Sequence, residues 1–115
     1  MKFSEAFGDN VGYGAGTEGT VRGFLVVTTS FSYLSESECT EAQSNKAILV
    51  AWPGLADTLI SAGVPVRVGS AVLFAGDAEI TGTLNKTGMG LVPVSFYSVK
   101  ELTYWQDGEQ FKIKP

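Results

Sequence analysis

Glu36, Glu38 and Glu41 place three carboxylates in six residues, with Cys39 between them. Paired acids are the acid–base device left to a chain that contains no histidine, the side chain that titrates near neutral pH and most often serves as catalytic base or metal ligand. A sugar-cleaving pair would need a cleft, with the carboxyls roughly 5 to 9.5 Å apart across the bond to be broken. Here the acids are followed by Ala42-Gln43-Ser44-Asn45-Lys46, the polarity of an exposed loop, so the stretch reads as solvated surface. Its spacing also lacks the Asp/Asn ligands and turn glycine of an EF-hand calcium loop. The negative surroundings disfavour a thiolate at Cys39, which argues against an activated nucleophile. Ser-His-Asp, Cys-His and His-based zinc chemistry are excluded by composition, and no cofactor is expected.

Gly14-Ala15-Gly16-Thr17-Glu18-Gly19 matches G-x-G-x-x-G letter for letter, with acids some twenty residues on at Glu36 and Glu38. A dinucleotide fingerprint needs a strand before it and a helix after it, because the pyrophosphate rests on the helix N-terminus. A glycine-rich leader precedes this match and a β-branched run follows it, so the context fails.

Aromatics are the other chemical resource. Phe31, Tyr33, Tyr97, Tyr104 and Trp105 could stack bases if a basic groove lay beside them, and Arg22 and Arg67 are candidates to line one. The cations are scattered, however, and twelve acidic against eight basic residues give a net charge of −4. That field repels polyanions.

These groups must be carried by some scaffold, and 115 residues make one domain. A single cysteine forms no intramolecular disulfide, so a reducing, cytoplasmic setting is expected. The start Met1-Lys2-Phe3-Ser4-Glu5 has no signal-like apolar run, and no apolar stretch approaches the roughly 20 residues of a membrane-spanning helix. Residues 1–19, rich in glycine, read as a lead-in that Phe3 and Phe7 can pin to the body; residues 20–115 read as the domain.

Val21 to Thr29 is β-branched and predicts a strand, with Gly23 a bulge or bend. Ser30 to Ser35 predicts either its continuation or a tight partner. Ala47 to Trp52, closed by Pro53-Gly54, predicts a buried central strand. Leu55, Ala56, Leu59, Ile60 and Ala62 recur at helical spacing, with Gly63 as the stop and Pro65 beyond. Gly69-Ser70 then predicts a hairpin between Pro65–Val68 and Ala71–Ala75, and Gly76-Asp77 predicts a further turn. Ala78 to Leu84 alternates as a half-buried strand, Asn85 to Gly90 reads as a flexible connection, and Leu91 to Trp105 reads as another strand. Asp107-Gly108 predicts a type I′ turn. The register that follows sets Tyr104 against Phe111, Leu102 against Ile113 and Glu101 against Lys114, with Thr103 and Lys112 on a wetter face. Tyr104 and Trp105 must then point to opposite faces.

Short strands, glycine turns and one short helix predict an all-β fold: a small closed or partly open barrel of five to seven strands, with a β-sandwich as the alternative. At fold level the pattern resembles the OB-fold, through the bent strand Val21-Arg22-Gly23-Phe24-Leu25, the buried strand Ala47 to Trp52, one short helix and the long final strands. The helix falls in the usual OB place, between third and fourth strands, only if Phe31 to Ser35 is a strand of its own.

The expected role is to hold something rather than to run a reaction. The leading expectation is a non-enzymatic, acidic protein-binding module of the inhibitor or immunity type. Its expected partner is another protein, especially a basic one, engaged through Glu36, Glu38 and Glu41 with Tyr33, Trp52 and Trp105 nearby. The alternative is an OB-like barrel that binds single-stranded nucleic acid or an oligosaccharide in a groove at Tyr33, Arg22, Arg67 and Tyr97. A third reading, a small hydrolase with paired acids, requires two carboxylates facing each other in a pocket.

Overall fold

The computed structural model describes residues 16–29, 31–35, 47–66, 72–86 and 94–115. Six strands and one helix follow in order: β1 (Thr17–Thr28), β2 (Ser32–Ser35), β3 (Ala47–Val50), α1 (Leu55–Ser61), β4 (Val72–Lys86), β5 (Val94–Gln106) and β6 (Glu109–Ile113). All six belong to one sheet of order β3-β2-β1-β4-β5-β6, and a further β3–β5 pairing joins the edge strand β3 to β5. The ladders therefore run in a ring, β1 to β2 to β3 to β5 to β4 and back to β1, with β6 attached to the far half of β5. Every ladder is antiparallel except β3–β5, which is parallel and sets Ile48 against Val94 and Val50 against Phe96. The fold is thus all-β with one helix, and its closed ring is compatible with a small barrel.

Period-two alternation decides which residues fill the ring. Along β4, Phe74, Ala78, Ile80 and Leu84 are buried while Glu79, Thr81 and Thr83 are not. Leu25 of β1, Leu34 of β2, Ile48 of β3 and Phe96 and Leu102 of β5 join them in one core. The helix packs on the core by inserting Leu55 and Leu59. It stops where expected, with Gly63 at φ 88°. The Gly63 amide donates to Ile60 O at 3.0 Å and that of Val64 to Leu59 O at 3.1 Å, the paired bonds of a Schellman motif with Val64 packed beneath.

The final hairpin has the expected register. Leu102 faces Ile113 and Tyr104 faces Phe111 across a turn in which Asp107 (φ 52°) and Gly108 (φ 80°) both take positive φ, as a type I′ turn requires. Lys114 Nζ lies 3.9 Å from Glu101 Oε2. Tyr104 is fully buried and Trp105 only partly, on the opposite face.

Several expectations are corrected. β1 begins at Thr17, inside the stretch read as lead-in. No bulge occurs at Gly23, which pairs in register with Ala78; a Cβ there would stand 2.5 Å from Ser35 O, so glycine admits the neighbouring strand. Gly76-Asp77 is not a turn, because β4 runs through it unbroken. A Cβ at Gly76 would meet Trp105 O at 2.5 Å and the Tyr104 ring at 3.1 Å, again a close approach of backbones. Pro65 and Val66 form no strand, and the Gly69-Ser70 turn lies outside the described residues. Asn85 and Lys86 belong to β4 rather than to a connection, and Ala51 and Trp52 lie beyond the end of β3. Thr103 is buried rather than wet. It stands on a middle strand, flanked in register by the long side chains of Glu79 and Lys112.

Candidate functional site

Ser32 to Ser35 does form a strand of its own, and the β1–β2 turn fixes the residue before it. The Thr28 amide donates to Phe31 O at 2.8 Å. Its hydroxyl donates to the same carbonyl at 3.0 Å and accepts from the Phe31 amide at 3.1 Å. Phe31 is thereby held at the surface, 52% exposed, and its ring stacks on Tyr33 with centroids 5.8 Å apart. Tyr33 in turn faces Leu49 across the β2–β3 ladder.

Tyr97 reaches the surface by a different device. On β5, Phe96 pairs with Leu84 and Ser98 with Thr83, so Tyr97 is an extra residue; Lys100 is a second, between Val99 and Glu101. Such bulges re-aim side chains. The Tyr97 ring is 51% exposed, and Lys100 Nζ reaches Glu18 Oε2 at 2.6 Å on β1.

Phe31, Trp52 and Tyr97 line one open cleft of about 950 Å³. Its floor contains the buried Val27, Val50 and Leu55, and its rim includes Thr29, Ala51, Pro53 and Asp57. Among the described lining residues Asp57 carries the one formal charge. Trp52 also packs against the core from the rim, so its ring is tethered on one side.

A second open cleft, about 490 Å³, lies at Phe24, Pro65, Val66, Asp77, Trp105 and Asp107. Arg22 is beside it, its guanidinium carbon 4.6 Å from the centre of a Trp105 ring. The Tyr104 hydroxyl donates to Gln106 Oε1 at 2.5 Å, and Gln106 Nε2 donates to Pro65 O at 3.0 Å. That chain ties the core to the segment after the helix, along one wall of the cleft.

The structure therefore sorts the sequence candidates into groups different from those expected. Tyr33 and Trp52 lie at or beside the first cleft with Tyr97, which had been assigned to the alternative groove. Arg22, also from that groove, is joined to Trp105 from the protein-binding set. Glu36, Glu38, Glu41, Cys39 and Arg67 lie outside the described residues. Phe31 was named among the aromatics able to stack bases but placed in neither the protein-binding set nor the groove set; the structure puts it in the cleft lining. Thr17, Glu18 and Gly19 of the G-x-G-x-x-G match lie in β1, so no helix follows it to receive a phosphate. Among the described residues no group of three or more His, Cys, Asp or Glu is placed to hold a metal ion, and no helix is long and apolar enough to cross a membrane. No protein-family model, curated protein or solved structure matches the chain.

Proposed function

We propose that this chain is an OB-like small barrel acting as a non-enzymatic binding module for another protein, of the inhibitor or immunity type. The OB-like reading is supported by the ring order β1-β2-β3-β5-β4, by the parallel β3–β5 ladder and by the position of α1 between the third and fourth strands. The binding reading rests on one observation: Phe31, Trp52 and Tyr97 converge on a single open cleft while two of them remain half exposed. Large aromatic side chains left at a surface cleft mark recognition sites, since they bring apolar area at low entropic cost.

The acidic segment Glu36 to Glu41 supplies the long-range part of the proposal. In an acidic chain it would steer a basic partner into encounter and raise the association rate at low salt. Replacing Glu36, Glu38 and Glu41 by Lys is expected to slow association, and Phe31→Ala with Tyr97→Ala to speed dissociation. The experiment is capture from the native lysate with the wild-type chain and with each variant, with and without nuclease, followed by stopped-flow kinetics on the captured partner. Nuclease-resistant capture that both variants weaken supports the reading; capture lost on nuclease treatment, or unchanged in both variants, overturns it.

The stacked Phe31–Tyr33 pair favours a second reading, a stacking platform for a single strand or a sugar chain. Oligonucleotide binding with a steep salt slope would select it.

A further inference from the structure

We propose that the cleft at Phe31, Trp52 and Tyr97 receives a cationic side chain, an arginine or lysine of a basic partner protein. This rests on the protein-binding reading above and names the chemistry by which that site would select its ligand.

The lining carries the argument. Aromatic faces present the negative lobe of their quadrupole and attract a guanidinium or ammonium placed over them. Three such residues border this cleft, and the charge among its described lining is the carboxylate of Asp57. Three aromatic residues and one anion form a complementary setting for a cation, whereas a phosphate would meet no opposite charge among those residues. The chain uses the same contact on itself, where Arg22 lies 4.6 Å from the centre of a Trp105 ring. Volume agrees as well: about 950 Å³ exceeds what one long side chain fills, leaving room for the flanking backbone of a partner segment. The net charge of −4 would draw a basic segment toward the surface before contact.

Two local devices set the backbone from which these rings project. The β5 bulge turns Tyr97 out of the ladder, and the Thr28 hydroxyl fixes the backbone of Phe31 from both sides. The Phe31 ring also stacks on Tyr33, and a side chain restrained beforehand loses less freedom on binding.

The test uses the full chain, ¹⁵N-labelled, titrated with acetyl-hexaarginine amide, acetyl-hexaglutamate and a dT12 oligonucleotide. The chain holds two tryptophans, and a Trp105→Phe variant assigns their indole N–H resonances. Hexaarginine is expected to move the Trp52 resonance, with an affinity that falls as salt rises. Asp57→Asn, Phe31→Leu and Tyr97→Leu are each expected to weaken it by about two- to thirtyfold, the span of one cation–π or charge contact. All three are exposed positions, and an otherwise unchanged spectrum shows that each variant is folded. Hexaarginine that leaves Trp52 unmoved, wild-type affinity in all three variants, or tighter binding of dT12 overturns the proposal. Concentration-dependent shifts at Trp52 in the free protein would assign the cleft to a second copy and overturn it too. If hexaarginine fails while the lysate still yields a nuclease-resistant partner sensitive to Phe31 and Tyr97, the cationic chemistry is wrong and the protein-binding reading stands.

Discussion

The guanidinium of Arg22 lies over the indole of Trp105, 4.6 Å from the ring centre, although β1 and β5 share no ladder and β4 separates them. The contact spans β4 on the outer face of the sheet. Exposed cation–π pairs contribute about 0.5–1 kcal/mol, so Arg22→Gln is expected to lower stability by that amount and to shift the Trp105 emission. Denaturant unfolding followed by fluorescence checks both. An Arg22→Gln, Trp105→Leu double-mutant cycle that is strictly additive would show that the two residues are not coupled.

Gly76→Ala distinguishes a strand glycine from a turn glycine. With Trp105 O 2.5 Å from the added Cβ, the β4–β5 ladder must shift, at a cost of about 1–3 kcal/mol. A midpoint in urea within a few tenths of a molar of wild type would restore the turn that the dipeptide suggests.

Leu59 and Ile60 are neighbours on α1 with opposite fates: Leu59 is fully buried and Ile60 is 49% exposed. Leu59→Ala is expected to cost about 2–5 kcal/mol through lost burial and a residual cavity. Ile60→Ala should stay within about 0.5 kcal/mol, the range for surface changes. Equal losses in thermal unfolding would mean that the helix does not pack on the core through Leu59 as described.

The Tyr104–Gln106–Pro65 chain is expected to appear as coupling. A cycle built from Tyr104→Phe and Gln106→Ala should give about 0.5–1.5 kcal/mol, the net value of one hydrogen bond. Additive losses in chemical denaturation would refute the bond.

What the sequence made legible was local. The Asp107-Gly108 turn carries its own backbone requirement, and the register of Leu102, Tyr104, Phe111 and Ile113 follows from it by counting. The spacing of Leu55 and Leu59 and the stop at Gly63 are likewise written within one helix length. Gly23 and Gly76 were misread because a glycine in a strand-like run means a bulge, a turn or a close neighbour, and only the partner strand decides which. The bulges at Tyr97 and Lys100 were illegible for the same reason, since an extra residue exists only relative to the strand opposite. Trp52 and Tyr97 were assigned to different sites, whereas both line one cleft. Their meeting depends on the β3–β5 ladder, which joins segments far apart in the chain.

That ladder also governs the order of assembly. Ile48 finds its mate only when Val94 has been made and delivered, after the helix and all of β4 have already left the ribosome. Until then one margin of β3 stays open, and pairings so remote in sequence form slowly because a large loop must be closed first. Nascent chains arrested before β5 should therefore be caught by chaperones or by each other, and completion of the ring, rather than growth of the helix, should set the pace of refolding.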